Sequence, residues 1–334
     1  MAQQSVEEEK AAGKKVGLEG VPGTKLLLWR EGKKAPCPLR RGTCAILNDK
    51  IVYFNYVQHL CGYDLEKNSW FRLPDYQYSG YSLVVLNGML TAVGGHENWN
   101  TYTGKVLSLS AGKGQHQEWT EVFPPMPTKR AHASVVLSGV NLIVAGGKVG
   151  RQGEAPSVVV EVMNISTRKW TTAASLPASL WYASAAICGD YIYIVSGVDQ
   201  EAAHSSSMYT CSLTALCQSA SRSRSLGARF KKLVLRDQPG TVWSRIDNLP
   251  FTQSTCISLN GRLLAIGGND LDIENTTAVH MYSPTTKSWE VVSRMSIGRR
   301  VCLATVLPDN QVLAVGGFTE SFSHDDSVEF GFIE

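Results

Sequence analysis

Hydrophobic and polar positions alternate in short runs that recur along the chain. Residues 81–95 read YSLVVLNGMLTAVGG: two apolar runs flank Asn87-Gly88, and the second run ends at Gly94-Gly95. Asn-Gly between alternating apolar runs predicts a β-hairpin, because both turn residues tolerate a positive φ. The double glycine marks a place where the backbone bends or passes close to a neighbour.

The hairpin recurs about every fifty residues, the period of a repeat architecture. The second glycines of the related runs lie at 95, 147, 197, 268 and 317. Tryptophans at 70, 119, 170, 243 and 289 run in step with them, and each opens a further strand. Two markers in phase, with four short strands in each period, predict a β-propeller whose blades are four-stranded sheets.

The order of these markers resembles the kelch repeat: a double glycine after the second strand, an aromatic residue in the third, and a tryptophan opening the fourth. The resemblance covers residues 24 to 334, and it implies an all-β, six-bladed kelch-type β-propeller. Two blades depart from the pattern, with Asn55-Tyr56 in the first and Ser196-Gly197 in the fourth. The last blade lacks a tryptophan strand, so we expect an N-terminal strand at residues 25–30 to close it and remove an open edge.

The predicted organisation is a flexible N-terminal tail (1–23) followed by the propeller (24–334). The blades are predicted at 42–73, 80–123, 131–176, 182–249, 253–293 and 301–334, the last completed by 25–30. Blade 4 carries a basic insertion at 217–240, in which the low-complexity stretch SRSRS is predicted to be flexible.

Composition narrows the classes of partner. With 32 basic and 29 acidic residues the net charge is +3, which predicts no bulk attraction to nucleic acid or membrane. The basic stretch 222–236 is the one candidate for nucleic-acid contact. The charged N-terminus lacks the apolar segment of a signal peptide, and the eight cysteines are scattered without a Cys-x-x-Cys pair. We therefore expect a cytoplasmic or nuclear protein with reduced thiols, a monomeric propeller and no cofactor.

Propeller topology puts the loops between blades and the loops after the double glycines on one face, where binding loops usually lie. Similarity to kelch proteins that bind acidic peptides implies Arg41, Arg130 and Arg300 as contacts to anionic groups. It implies Tyr81 and Tyr182 as stacking walls. Further candidate contacts are Tyr78, Trp99, Trp181 and Phe318. In the alternative interpretation, the arginines pair with acids of neighbouring loops, such as Glu97, Asp270, Asp272, Glu320 and Asp325.

The expected function is that of a protein-interaction module, not an enzyme, which captures a short acidic segment. The sequence contains neither a BTB nor an F-box domain, so a role in ubiquitin-ligase substrate recognition would require a larger complex. An actin-associated or cytoskeletal scaffold remains an alternative, since some kelch proteins have that role. A metal-dependent enzyme is a further alternative, because five histidines map to the same face: His59, His96, His132, His204 and His324. No two of them have ligand spacing.

Overall fold

The computed structural model describes residues 27–98, 100–109, 118–150, 156–225, 242–247, 249–270, 274–319 and 325–333. These residues form six four-stranded antiparallel sheets and one two-stranded ribbon. In each sheet a short turn joins the first two strands, as the alternating apolar runs predict, and in blades 2 to 6 a longer connection leads from the second strand to the third. The predicted all-β, six-bladed propeller is confirmed.

The first half of the chain builds one strand of the last blade and then three complete blades. Strand β1 is Leu27–Glu31. Blade 1 contains β2 (Cys44–Leu47), β3 (Ile51–Tyr56), β4 (His59–Asp64) and β5 (Ser69–Arg72). Blade 2 contains β6 (Ser82–Leu86), β7 (Met89–Val93), β10 (Val106–Leu109) and β11 (Trp119–Phe123), with the ribbon β8 (His96–Asn98) and β9 (Thr101–Tyr102) inserted after β7. Blade 3 contains β12 (Ser134–Ser138), β13 (Asn141–Ala145), β14 (Val160–Asn164) and β15 (Lys169–Thr172).

The second half completes the ring. Blade 4 contains β16 (Ser184–Cys188), β17 (Tyr191–Val195), β18 (Met208–Ser212) and β19 (Ser244–Ile246). Blade 5 contains β20 (Thr255–Leu259), β21 (Arg262–Ile266), β22 (Ala278–Ser283) and β23 (Ser288–Arg294). Blade 6 contains β24 (Leu303–Val306), β25 (Val312–Val315) and β26 (Val328–Ile333), and its fourth strand is β1.

The N-terminal strand closes the ring as predicted. Strand β1 pairs antiparallel with β26, in a register that sets Trp29 opposite Gly331. The indole of Trp29 is 7% exposed, and its N–H donates to the Ser293 hydroxyl of blade 5 at 3.0 Å. The edge of β26 is therefore paired, and the closing strand is tied to two blades.

The hydrophobic core lies between neighbouring blades. Six clusters of buried side chains each combine residues of adjacent sheets. The repeated tryptophans stand at these interfaces, and three of them donate their indole N–H groups to backbone carbonyls. Trp70 donates to Lys33, Trp170 to Pro124 and Trp243 to Ala174. Each of these tryptophans therefore fixes a fourth strand to the preceding blade or linker.

The double glycines allow the blades to touch. In blade 3 the N–H of Gly147 donates to the Leu180 carbonyl at 2.7 Å, in the linker that enters blade 4. A Cβ on Gly146 would lie 2.4 Å from that same carbonyl oxygen, and Gly146 has φ of 66°. Only glycine combines this backbone conformation with this approach. The equivalent glycines of blades 2, 5 and 6 make the same contact with the next linker.

The two departures from the double glycine each supply a side-chain bond between blades. The Ser196 hydroxyl accepts a hydrogen bond from the Gln253 N–H of blade 5 at 2.8 Å. In blade 1, Asn55 is buried, and its amide donates to the Tyr81 carbonyl of blade 2 at 2.7 Å. The polar replacements therefore make contacts that glycine could not make.

The first part of the basic insertion is helical. Helix α1 spans Leu213–Ser225 and packs Leu216 and Ala220 into the interface between blades 3 and 4. The stretch SRSRS forms its last turns, so the prediction of flexibility is wrong there; residues 226–240 lie outside the described part of the chain. Among the described residues, no helix is long and apolar enough to cross a membrane.

Candidate functional site

Isolated backbone bridges show that two sets of loops share one face, which we call the mouth. In blades 2 to 6 a residue of the entering linker pairs with the residue that follows the second glycine. The pairs are Ser79 with His96, Ala131 with Lys148, Trp181 with Val198, Thr252 with Asn269, and Arg300 with Phe318. The predicted arrangement of loops is therefore confirmed.

These bridges define three equivalent positions in each linker. The bridge position is the paired residue, the inner position precedes it, and the corner position follows it. The corner residues have positive φ in every blade: Arg41, Gly80, His132, Tyr182, Gln253 and Val301. By this alignment Arg130 is an inner residue, Arg300 a bridge residue and Arg41 a corner residue. The three arginines predicted to act together thus occupy three different environments.

Arg130 is buried and does not face a binding partner at the mouth, which corrects the prediction that it contacts anionic groups there. Its side chain is 0% exposed and forms an ion pair with Glu161 of β14. Its guanidinium also donates to the backbone carbonyls of Gly146 at 3.1 Å and Val159 at 2.7 Å. Burial lowers the pKa of Arg130, and the Glu161 carboxylate opposes that shift. The arginine therefore holds blade 3 together instead of binding at its surface.

Arg299 repeats this arrangement at the inner position of blade 6. It donates to the Glu329 carboxylate at 2.6 Å and to the Gly316 carbonyl at 2.9 Å, and it is 0% exposed. The sequence contains a pattern that indicates both arginine–glutamate ion pairs, but the sequence analysis did not use it. In blades 3 and 6 the third strand has Val-Glu in phase with the inner arginine, at Val160-Glu161 and Val328-Glu329.

Three other arginines gather around one aromatic ring at the mouth. The guanidinium carbons of Arg40, Arg300 and Arg41 lie 4.4, 5.1 and 5.8 Å from the centre of the Phe318 ring. Arg300 also donates to the Asn275 side chain at 3.1 Å, and Arg40 to the Tyr56 hydroxyl at 2.9 Å. Burial and then the charge of Arg41 lower the pKa of Arg300. The structure therefore brings Arg41, Arg300 and Phe318 together and adds Arg40 to them.

An aromatic wall continues from Arg41. Its guanidinium carbon lies 5.3 Å from the centre of the Tyr182 ring, which lies 4.6 Å from the ring of Trp181. Lys148 places its ammonium 5.5 Å from the Trp181 ring. Both aromatic side chains are partly exposed, and burial raises the pKa of Tyr182 to about 12. Cations on aromatic faces therefore line one side of the mouth.

The predicted tyrosines of blade 2 belong to a packed cluster. Tyr81 is 2% exposed, with its ring 4.4 Å from that of Tyr76, so it is a core residue and not the stacking wall predicted for it. Tyr78 is partly exposed, and its ring lies 5.5 Å from the Tyr76 ring. Trp99 lies outside the described residues.

Two histidines meet beneath the aromatic wall, which the sequence spacing did not indicate. The Nε2 atoms of His96 and His132 are 3.2 Å apart, and the Tyr182 hydroxyl lies 3.3 Å from the same atom of His132. Burial, then His96 and Arg41, hold the pKa of His132 well below its usual value. Within the described ranges no group of three or more His, Cys, Asp or Glu side chains could hold a metal ion. His324 lies outside those ranges.

The mouth opens into a central cavity of about 200 Å³, lined by the first strands of all six blades. Its hydroxyl groups join neighbouring blades. The Ser82, Ser134 and Thr255 hydroxyls donate to the carbonyls of Ala133, Ala183 and Cys302 at 2.9, 2.8 and 2.6 Å. These hydroxyls therefore form part of the ring's structure. We call the group formed by Arg40, Arg41, Arg300 and Phe318 at the mouth the rim.

Comparison with known proteins finds sequences and a solved structure that are similar to this chain. A family model described as Kelch motif matches residues 250–296. Kelch-like protein 23 of Pongo abelii is 22% identical over 274 residues, which cover 80% of this chain and 43% of that protein. Alpha-scruin of Limulus polyphemus is 27% identical over 139 residues, which cover 40% of this chain and 15% of the scruin. The chain spans less than half the length of these relatives.

The solved structure of YjhT has the same fold. It is 15% identical, with a TM-score of 0.66, and the match covers 90% of this chain and 95% of YjhT. The phased glycines and tryptophans, the six closed blades and these matches agree. The chain therefore contains a kelch motif at residues 250–296 and is similar in sequence and fold to kelch-repeat β-propellers.

Proposed function

We propose that this propeller is a protein-interaction module that binds a short acidic peptide segment at its mouth. The observation that carries the proposal is the gathering of Arg40, Arg41 and Arg300 around Phe318. Guanidinium groups present paired N–H donors that match carboxylates. Such capture would suit a substrate-recognition subunit of a larger complex.

Electrostatics favour an anionic partner. Burial and then the charge of Arg41 lower the pKa of both Arg300 and His204, as expected where like charges lie close together. A carboxylate placed among these groups would relieve that repulsion. Arg300 is partly buried, so a carboxylate paired with it would contribute more than a fully exposed ion pair does.

The aromatic wall favours a peptide over a lone ion. Trp181 and Tyr182 offer rigid, partly exposed surfaces next to the arginines. Aromatic and arginine side chains commonly dominate the binding energy of protein interfaces. An acidic residue flanked by an apolar residue would therefore contact both parts of the mouth.

The test is a binding screen with immobilised peptides in which Asp and Glu are compared with Asn and Gln at the same positions. We expect the Arg41→Ala/Arg300→Ala variant to bind acidic peptides at least about tenfold more weakly, a loss of about 1.4 kcal/mol. The matched control is Arg168→Ala/Arg262→Ala. Both residues are exposed: Arg168 lies in the turn between β14 and β15, and Arg262 follows the turn between β20 and β21. Arg168 also shares the positive φ of Arg41.

Binding should also weaken as salt rises, because the rim charges are accessible to screening. Equal binding of acidic and amide peptides by wild type would contradict the proposal. Equal weakening by the control variant would contradict the assignment to the mouth.

A further inference from the structure

The central cavity that opens at the mouth carries positive charge and no negative charge. Arg41, His132 and His204 line it, and among the described residues that line it there is no aspartate or glutamate. A cleft lined by charge of one sign, with walls of low dielectric constant, concentrates the electric field at its entrance. The cavity therefore favours an anionic group at the place where it meets the rim.

Arg41 belongs to both the cavity and the rim. It lines the cavity, and its exposed guanidinium lies 5.8 Å from the centre of the Phe318 ring and 5.3 Å from that of Tyr182. The ion pairs that arginines form within the described ranges involve Arg130, Arg245 and Arg299, and not Arg41. The charge of Arg41 is therefore open to a ligand that enters the cavity from the rim.

The number of charges at the rim distinguishes between anions. Three guanidinium groups, those of Arg40, Arg41 and Arg300, surround the Phe318 ring. A carboxylate brings one negative charge and two oxygens, whereas a phosphomonoester brings about −1.5 to −2 charges at pH 7 and three strong acceptor oxygens. Guanidinium forks match phosphate oxygens as well as they match carboxylates. A phosphate group therefore balances more of this cluster than a single carboxylate does.

We propose that the mouth prefers a phosphorylated serine or threonine as the anionic residue of its peptide partner. This inference rests on the proposed binding of an acidic segment at the mouth, and it names the class of that segment. The phosphate would contact Arg41 and Arg300 where the rim meets the cavity, and the residues beside it would lie against Trp181 and Tyr182. Recruitment of the partner would then depend on its phosphorylation.

A comparison of peptide libraries tests the proposal. Each library has degenerate flanking positions and one fixed central residue, which is phosphoserine, Glu, Gln or Ser, and the amount retained by the immobilised full chain is measured. We expect the phosphoserine library to be retained at least about tenfold more strongly than the Glu library, and the Glu library more strongly than those with Gln or Ser. Inorganic phosphate, added at the concentration of the phosphopeptides, should not displace them.

Two variants test where the preference arises. Arg41→Ala should lower retention of the phosphoserine library more than that of the Glu library. Gln253→Glu replaces a residue that lines the cavity by one of the same shape with a negative charge, and it should reduce the ratio in the same direction. Arg168→Ala, an exposed arginine that shares the positive φ of Arg41, is the matched control and should leave the ratio unchanged. All variants are compared at the wild-type melting temperature.

The outcomes separate this inference from the proposed function. Equal retention of the phosphoserine and Glu libraries, both above Gln, would overturn the inference and leave the binding of acidic peptides standing. Equal retention of all four libraries would overturn both. A phosphoserine preference that neither Arg41→Ala nor Gln253→Glu reduces, or displacement by inorganic phosphate alone, would also overturn the inference.

Discussion

At the scale of single residues, the role of an arginine in this propeller depends on its position in the linker. Arg130 and Arg299 occupy inner positions and are buried against Glu161 and Glu329. Arg300 and Arg41 stand one and two positions later and reach the rim. In the sequence, the paired basic residues look alike. A shift of one position turns an interior ion pair into a surface charge.

That shift explains which part of the site was predictable. The linkers and the face they occupy follow from propeller topology, and so do Arg41, Arg300, Trp181 and Tyr182 as residues of that face. The register of each linker against its blade could not be predicted from the sequence, because six different residue types occupy the corner position with positive φ. The misassignment of Arg130 comes from this register.

The buried ion pair gives a prediction about stability. Arg130→Met should leave Glu161 charged and without its main partner in the interior, at a cost of about 3–5 kcal/mol in the free energy of unfolding. Lys129→Ala changes the neighbouring basic residue, which is exposed, and should cost less than about 0.5 kcal/mol. Urea unfolding followed by tryptophan fluorescence measures both. Similar losses for the two variants would contradict the assigned roles.

At the scale of elements, the contact between one blade and the next linker is made in two ways. Four blades use a double glycine whose backbone touches the next linker directly. Blades 1 and 4 use Asn55 and Ser196, whose side chains reach across. The period of the sequence was therefore enough to predict the repeat. The sequence did not explain why blades 1 and 4 lack the double glycine, because their replacements contact residues that are distant in sequence.

The side-chain contacts of Ser196 and Asn55 predict different losses of stability when each side chain is removed. Ser196→Ala leaves the Gln253 N–H without its acceptor, and we expect a loss of about 1–3 kcal/mol. Asn55→Ala should cost more, because the Asn55 side chain also accepts from the Thr43 N–H at 2.5 Å and from the Thr43 hydroxyl at 3.1 Å. Ser288→Ala, at an exposed hydroxyl, is the control and should change little. Thermal unfolding of the three variants gives the order, and a reversal of Asn55 and Ser196 would contradict this account.

At the scale of the whole molecule, the ring depends on a strand from the other end of the chain. The count of strands predicted this closure, because blade 6 would otherwise lack its fourth strand. The composition of the mouth was harder to predict, because Arg41, Tyr182 and Phe318 come from blades 1, 4 and 6 and meet only when the ring is closed. Closure of the ring therefore assembles the mouth.

Closure can be weakened at Trp29. Trp29→Ala removes a buried indole that packs on Gly331 and donates to Ser293, and we expect a loss of about 3–5 kcal/mol. Trp29→Phe keeps most of the apolar contact and should cost clearly less. Denaturant unfolding measures both. If Trp29→Ala unfolds at the same denaturant concentration as wild type, β1 does not hold the ring closed.

The most direct test of the central claim, that the arginine rim binds protein partners, is affinity capture from cell lysate with mass-spectrometric readout. Wild type would be compared with Arg41→Ala/Arg300→Ala and with Arg168→Ala/Arg262→Ala, after all three are shown to share one melting temperature. We predict that a defined set of proteins with a shared acidic segment is lost only from the rim variant. Retention of every captured protein by the rim variant would contradict the claim.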